Sequence, residues 1–199
     1  MAPDRADSAA GAPQCADVAA ISPEDEGHAT TSHPSPVASN LSRQVRLPTV
    51  ADTHAWGARL GAMLKAGDVL VLTGELGAGK TCLTQGIAAG LRVRGPITSP
   101  TFVIARVHPS LVGGPDLVHV DAYRLGGFAE LDDLDLDASL EDAVTVVEWG
   151  HGMAEQLSDA YLEVTLRGHD ARTVDLSGHG ARWTDQRAGL LLDALVSLT

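Results

Sequence analysis

The chain has few basic and few aromatic side chains. Its 199 residues include 14 Lys and Arg against 26 Asp and Glu, which gives a formal net charge of −12, and aromatic residues make up 4%. Proteins neutralise a nucleic-acid backbone with Lys and Arg, and they stack exposed bases on aromatic rings. Direct binding of RNA or DNA is therefore disfavoured, and a basic protein surface is a better partner for the acidic parts of this chain.

Long apolar runs and cysteines are also scarce. No stretch approaches the roughly 20 apolar residues that a membrane-spanning helix needs, and residues 1–40 lack the apolar run of a signal peptide. The two cysteines, Cys15 and Cys82, could form one disulfide at most, which fits a reducing compartment. We therefore expect a soluble, cytoplasmic protein with no membrane partner.

Residues 1–42 differ in composition from the rest of the chain. They hold five of the ten prolines, many Ala and Ser residues and no sustained hydrophobic period. Such a segment cannot bury enough apolar area to offset the entropy lost on ordering. The pattern predicts a disordered N-terminal tail over residues 1–42 and one folded domain over residues 43–199. A regulatory or tethering arm is the functional alternative for the tail.

A short strand, a glycine-rich loop and a helix are predicted in direct succession. Val69–Thr73 is an apolar run typical of a buried strand, and Leu83, Ile87 and Leu91 mark the inner face of a helix. Between them, Gly74–Thr81 reads Gly-Glu-Leu-Gly-Ala-Gly-Lys-Thr. This matches the phosphate-binding loop Gly-x-x-x-x-Gly-Lys-Ser/Thr, so the chain is expected to bind ATP or a close relative with Mg²⁺.

The motif assigns a role to each part of this loop. The glycines allow backbone N–H groups to surround phosphate oxygens at the positive end of the following helix. Lys80 would reach the β- and γ-phosphates, and the Thr81 hydroxyl would hold Mg²⁺. Lysine occurs at two positions in the whole chain, so its presence here is informative. The nucleotide-binding residues expected around the loop are Glu75, Leu76, Gly77, Ala78, Gly79, Lys80, Thr81 and Cys82.

Two acidic residues follow apolar strands. Asp121 comes directly after Leu117–Val120, and Glu148 comes directly after Val144–Val147. A carboxylate at such a strand end, near a phosphate loop, can hold Mg²⁺ directly or through water, or it can orient the attacking water. The residues alone leave open which carboxylate has which role.

The hydroxyl-bearing segment Thr98–Thr101 follows the helix predicted after the phosphate loop and leads into the next predicted strand. In a phosphate-loop protein, a segment at this place can sense the γ-phosphate as a switch loop does. Ser-Pro-Thr is also common in ordinary turns, which is the alternative interpretation. Ser99 and Thr101 are the candidate residues.

The strand pattern favours a mixed sheet. Thr101–Val107 and Leu117–Asp121 both read as strands, and the link at 108–116 has no helical pattern. Because a parallel crossover needs about a dozen residues or more, we expect these strands to pair antiparallel. A hairpin follows over residues 162–176, and a closing helix over residues 183–198. The predicted fold class is α/β, a P-loop NTPase-like three-layer fold with a mixed parallel/antiparallel sheet.

Residues 128–148 carry eight acidic side chains and no Lys or Arg. Interleaved leucines indicate an ordered segment rather than a free acidic run. A solvated face is one interpretation, and a docking surface for a basic protein partner is the other.

Four motifs together resemble one known family. They are Gly74–Thr81, Ser99–Phe102 (Ser-Pro-Thr-Phe), Asp121–Leu125 (Asp-Ala-Tyr-Arg-Leu) and Val147–Trp149 (Val-Glu-Trp). The loop alone is generic to a very large superfamily, but this combination, in this order and spacing, resembles the bacterial TsaE ATPases over about residues 44–160.

The resemblance implies an enzyme, an ATPase that is weak alone and dependent on partners. It would act as an accessory subunit in the biosynthesis of threonylcarbamoyladenosine (t6A) in tRNA, hydrolysing ATP in complex with the TsaD and TsaB proteins. The tRNA would be reached only indirectly, through that complex.

The resemblance also implies roles for individual residues. Lys80, Asp121 and Glu148 would be catalytic, and Thr81 and Glu148 would surround Mg²⁺. Ser99 and Thr101 would lie in a switch-like loop at the nucleotide, and Trp149 would flank the nucleotide site or the partner surface.

The residues bear on two other functions. A small P-loop kinase is the alternative, but a kinase usually has an Arg-rich lid, and Arg124 is the single basic residue between Asp121 and Glu148. Guanine-specific GTPases commonly read the base with Asn-Lys-x-Asp. The sole asparagine here is Asn40, so that motif is excluded.

Overall fold

The computed structural model describes residues 41–100, 103–132, 140–153, 156–169 and 171–197. The strands of this part are β1 (Leu41–Leu47), β2 (Val69–Gly74), β3 (Ala105–His108), β4 (Asp116–Asp121), β5 (Ala143–Glu148), β6 (Tyr161–Arg167) and β7 (Arg172–His179). The helices are α1 (Val50–Met63), α2 (Lys80–Leu91), α3 (Phe128–Asp132), α4 (Ala181–Thr184) and α5 (Gln186–Ser197). None of the helices in the described ranges is long and apolar enough to cross a membrane.

Within the described residues, seven strands form one mixed sheet in the order β1-β7-β6-β2-β5-β4-β3. Strand β2 runs parallel to β5 and β6, and β4 runs parallel to β5. The pairs β3–β4, β6–β7 and β1–β7 are antiparallel. The predicted α/β class, the mixed sheet, the antiparallel β3–β4 pair and the β6–β7 hairpin are confirmed.

Apolar residues cover both faces of the central strands, which is why these strands read as continuous hydrophobic runs. Leu70 and Leu72 of β2 belong to the larger core cluster, which also includes residues of α1, α2 and α5. Val71 of β2 points into a smaller cluster with Val118, Val120, Val147 and Leu131. Helices α1, α2 and α5 therefore lie on one face of the sheet, and the smaller cluster, which includes Leu131 of α3, lies on the other.

Two strands begin at residues that differ from the sequence predictions. Strand β1 begins at Leu41, inside the stretch assigned to the tail, because Val45 and Leu47 are buried where β1 pairs with β7. Strand β3 begins at Ala105 rather than at residue 101, since the N–H groups of Val103 and Ile104 both donate to the Pro100 carbonyl in a turn.

The closing helix is divided rather than continuous. Asp185 is extended (φ −74°, ψ 168°) between α4 and α5, and its carbonyl accepts the N–H of Gly189. Asp is a favoured residue for starting a new helix in this way. Residues 1–40, which make up most of the tail predicted over 1–42, and residues 133–139 of the acidic segment lie outside the described residues, so both interpretations stay predictions.

Helices α1 and α2 approach each other through glycines. Helix α1 starts with a capping box between Thr49 and Asp52. A Cβ atom built on Gly57 or Gly61 of α1 would lie 2.7 or 2.2 Å from a backbone oxygen of α2, and one on Gly86 or Gly90 of α2 would lie 2.3 or 2.1 Å from a backbone oxygen of α1. Side chains at these four positions would force the helices apart. The contact therefore determines where α2, and with it the phosphate loop, lies on the sheet.

The substitution Gly61→Ala tests this contact. We expect it to lower the free energy of unfolding by about 1–3 kcal/mol through overpacking, although Ala is the better helix former by about 1 kcal/mol. Urea unfolding measures the change. Gly127→Ala is the matched control, because a Cβ atom there meets nothing within 4 Å. Equal stabilities of the two variants would contradict the close contact.

Candidate phosphate-loop site

The loop between β2 and α2 has a backbone that requires glycine. Gly74, Gly77 and Gly79 have φ values of 136°, 81° and 103°, a region that L side chains rarely adopt. Gly74 is further restricted because a Cβ atom would lie 2.4 Å from the Leu166 carbonyl oxygen. Helix α2 begins at Lys80, directly after Gly79. The motif thus lies at a helix N-terminus, where backbone N–H groups are available to an anion.

Arg172, the first residue of β7, contacts the backbone of the loop. Its Nε donates to the carbonyl oxygen of Ala78 at 2.9 Å, and the residue is 8% exposed. A Cβ atom on Gly79 would lie 2.8 Å from the same Nε, so the guanidinium fits only because Gly79 has no side chain. No sequence motif marked Arg172, since its contact joins two segments that are far apart in the chain.

Lys80 is held against the loop. It is 5% exposed, and its Nζ donates to the carbonyls of Gly74 and Glu75 at 2.8 and 2.9 Å. The same Nζ lies 3.6 Å from the centroid of the Trp149 ring, a cation–π distance. Burial lowers the pKa of Lys80, and the carboxylates of Glu148 and Asp121 oppose that effect. The two acids thereby help to keep a buried ammonium charged.

Glu148 is the last residue of β5 and lies at the end of the sheet from which the loop leaves β2. Its backbone pairs with Leu72 of β2 on one side and with Asp121 of β4 on the other. Its carboxylate is buried: Oε2 accepts from the Thr81 hydroxyl at 3.1 Å, and Oε1 contacts His119 Nε2 at 2.8 Å. The register therefore brings both predicted carboxylates to the same place as the loop.

Asp121 is also buried and has defined partners. Its Oδ2 accepts from the Ser99 hydroxyl at 2.6 Å, and its Oδ1 accepts from the backbone N–H of Tyr123 at 3.0 Å. The second bond begins a 3₁₀ turn over Ala122–Arg124. Ser99 thus connects the predicted switch segment to the carboxyl end of β4.

Two aromatic rings stand beside these carboxylates. The Trp149 and Tyr123 rings are 5.1 Å apart between centroids, and Tyr123 is 58% exposed. Trp149 has a positive φ of 63°, which is uncommon for a bulky side chain, and its N–H donates to the Leu72 carbonyl at 3.0 Å. This strained backbone turns the chain at the end of β5, where the ring covers Lys80.

These residues surround a cleft of about 440 Å³, lined by Leu76, Gly77, Gly79, Lys80, Thr81, Cys82, Ser99, Asp121, Tyr123, Glu148 and Trp149. Two residues predicted to bind nucleotide do not line it: the Glu75 side chain is 87% exposed, and Ala78 is buried beneath the loop. Thr101 lies outside the described residues. Tyr123 was not singled out as a site residue, although it belongs to the Asp-x-Tyr-Arg-Leu motif that could have indicated it.

Cys82 lines the cleft without the properties of a reactive thiol. Its Sγ donates to the Val50 carbonyl at 3.7 Å. Burial raises the pKa of the thiol, and Arg172 only partly opposes this effect. Since the thiolate is the reactive form, Cys82 acts as a small packing residue at the start of α2.

The donor set at Thr81 and Glu148 fits Mg²⁺. Both offer oxygen atoms, which Mg²⁺ prefers, and they are already within hydrogen-bond distance of each other. The described part of the chain contains no group of three or more His, Cys, Asp or Glu that could hold a metal ion. Mg²⁺ at nucleotide sites usually takes one or two carboxylates together with substrate phosphates, and Thr81 and Glu148 match the protein share of such a site.

Comparisons with known proteins agree with the four sequence motifs. The profile of the family described as "Threonylcarbamoyl adenosine biosynthesis protein TsaE" matches residues 47–174. A protein of Streptomyces coelicolor, named tRNA threonylcarbamoyladenosine biosynthesis protein TsaE, is 54% identical over an alignment of 142 residues that covers 68% of this chain and 96% of that protein. The protein of the same name from Mycobacterium bovis is 59% identical over an alignment of 127 residues that covers 60% of this chain and 76% of that protein.

A solved structure has the same fold. The crystal structure of Bacillus subtilis YdiB superposes with a TM-score of 0.62 at 30% sequence identity, covering 80% of this chain and 97% of that one. The resemblance inferred from the phosphate loop and the three shorter motifs is confirmed. The chain belongs to the TsaE family of tRNA threonylcarbamoyladenosine biosynthesis proteins.

Proposed function

We propose that this protein binds ATP with Mg²⁺ in the phosphate-loop cleft and hydrolyses it as an accessory subunit of t6A biosynthesis, in complex with TsaD and TsaB. The observation that carries the proposal is that Lys80, Thr81, Asp121 and Glu148 surround one cleft in a member of the TsaE family. Membership alone supports the role in t6A formation, and the cleft supports the chemistry.

Binding of the triphosphate would use the loop and Lys80. The cleft volume of about 440 Å³ is within the range of about 300–1,000 Å³ that small-molecule pockets occupy. The N–H groups at the start of α2 would donate to phosphate oxygens. Lys80 would exchange the Gly74 and Glu75 carbonyls for phosphate oxygens, which are stronger acceptors because they are charged.

Hydrolysis would depend on the two carboxylates. Mg²⁺, held by Thr81 and Glu148, would neutralise the charge that develops on the phosphates. Asp121 would accept a hydrogen bond from the attacking water, since an ionised carboxylate offers about four lone-pair sites, among them those used by Ser99 and Tyr123. The water oxygen would bond to the γ-phosphorus as the bond from that phosphorus to the bridging oxygen breaks, which gives ADP and inorganic phosphate, and the water proton would pass to the phosphate or to solvent.

Lys80→Ala tests the chemistry. We expect the catalytic rate of ATP hydrolysis to fall by about 10²–10³-fold, because a preorganised donor to the transferring phosphoryl group is lost. Single-turnover hydrolysis of labelled ATP measures the rate. Lys65→Ala is the matched control, since Lys65 is the other lysine of the chain and does not line the cleft. Hydrolysis by Lys80→Ala at the rate of Lys65→Ala would contradict the proposal.

Arg172→Met tests the support of the loop. Loss of a hydrogen bond from a charged donor costs about 1.5–3 kcal/mol, so we expect ADP binding, measured by calorimetry, to weaken about tenfold or more. Arg43→Met is the control, because Arg43 lies on the edge strand β1 and pairs with Asp193 of α5 rather than with the loop. ADP affinity that is equal in both variants would show that Arg172 does not shape the loop.

The role in t6A formation is tested by reconstitution with TsaB and TsaD. Repeated rounds of tRNA modification, followed by mass spectrometry of the modified adenosine, should require this chain and ATP. Lys80→Ala should fail to replace the wild-type chain in that assay. If TsaB and TsaD make the product over repeated rounds equally well without this chain, the role is wrong.

A further inference from the structure

We infer that His119 is a positioning residue that orients the Glu148 carboxylate for Mg²⁺. The inference rests on the proposed function. It assigns a role to a buried histidine that lies outside the cleft lining and that no motif singled out. His119 lies on β4, two residues before Asp121, and its backbone pairs with Val146 of β5.

The contact between His119 and Glu148 is buried and short. His119 is 0% exposed, and its Nε2 lies 2.8 Å from Glu148 Oε1. Its other ring nitrogen, Nδ1, has no hydrogen-bond partner among the residues that the structure describes. Among the described residues, the ring of His119 therefore makes hydrogen-bond contact with one carboxylate oxygen, Oε1 of Glu148.

The direction of this hydrogen bond follows from its acceptor. An ionised carboxylate can only accept, so the proton lies on His119 Nε2 and is donated to Oε1. Glu148 and Asp121 act as negative charges on the neighbouring Lys80, whose pKa they raise against the effect of burial. Because Nδ1 has no acceptor near it, a neutral ring with its proton on Nε2 satisfies the site, whereas a second N–H would be buried without a partner.

His119 is the better donor to Oε1. The Thr84 hydroxyl lies 3.3 Å from Oε1, but it lies 3.0 Å from the Lys80 carbonyl, and a hydroxyl has one proton to donate. The other carboxylate oxygen, Oε2, contacts Thr81, which lines the cleft. His119 thus holds one oxygen inside the protein and leaves the other beside the hydroxyl proposed to bind Mg²⁺.

The consequence is that the carboxylate loses its rotational freedom. Without the Nε2–H donor, Oε1 would have no strong partner, and the group could turn about its terminal bond away from Thr81. Hydrogen-bonding partners of a metal-binding carboxylate typically change metal affinity or activity by about 10–100-fold when they are removed. Loss of the His119 hydrogen bond should therefore change the Mg²⁺ dependence of nucleotide binding more than the nucleotide affinity measured without Mg²⁺.

Three single substitutions in the full-length chain test the inference. His119→Gln keeps an N–H donor at the position of Nε2, whereas the shorter His119→Asn withdraws it. His108→Gln is the control for altering a buried histidine: His108 is 4% exposed, its Nδ1 contacts the Arg94 carbonyl, and its ring centroid is 6.5 Å from that of His119.

Two binding measurements and one rate are compared. We expect His119→Asn to raise the Mg²⁺ concentration that half-saturates ADP binding by about tenfold or more, and to lower the single-turnover rate with ATP by about 10–100-fold. ADP affinity without Mg²⁺ should change less than about threefold, since His119 does not reach the phosphate loop. His119→Gln should return each value to within about threefold of wild type, and His108→Gln should match wild type.

A signature in the nucleotide-free protein is independent of activity. The ¹⁵N chemical shifts of His119 should show a protonated Nε2 and a bare Nδ1. A protonated Nδ1 with a bare Nε2 would overturn the inference, as would His119→Gln behaving like His119→Asn or His108→Gln losing as much as His119→Asn. If the wild-type chain binds no nucleotide with Mg²⁺, the proposed function fails and the inference fails with it. If the wild-type chain binds nucleotide with Mg²⁺ and both His119 variants behave like it, the proposed function stands and the inference alone fails.

Discussion

The buried carboxylate of Glu148 is the constraint on which the site depends. A charged group removed from water is tolerated only when donors or opposite charges surround it. Here the donors come from β4 through His119 and from α2 through Thr81, and the nearby charge is Lys80. Satisfying one carboxylate therefore requires β4, β5 and the start of α2 to be in register at the same time.

The phosphate loop is shaped by contacts outside its own sequence. Arg172, the first residue of β7, donates a hydrogen bond to the Ala78 carbonyl. The guanidinium has room there because Gly79 has no Cβ atom. The glycine contact between α1 and α2 fixes the helix that follows the loop. The loop residues are thus necessary for an anion site, but a distant arginine and a helix pair hold them in place.

Much of the fold was predictable because local patterns agree with the tertiary structure. The apolar run of β2, the glycine loop and the helical spacing of α2 all describe short-range geometry, and the link between β3 and β4 is too short for a parallel crossover. Strand β1 was missed because a polar edge strand with alternate buried residues has little signal of its own, and its pairing with β7 joins distant segments. The break at Asp185 was missed because the hydrophobic spacing continues across it.

By itself the sequence determined the family and the candidate site residues: the loop, its lysine and threonine, two acids at strand ends, and the motif order that identifies the TsaE family. Each of these features consists of residues that are close together in the sequence, so the sequence alone is enough to recognise it. Only the tertiary structure decided which groups meet. His119 contacts Glu148, Trp149 covers Lys80, and Arg172 supports the loop, because strand register and helix packing bring together side chains that local patterns cannot relate.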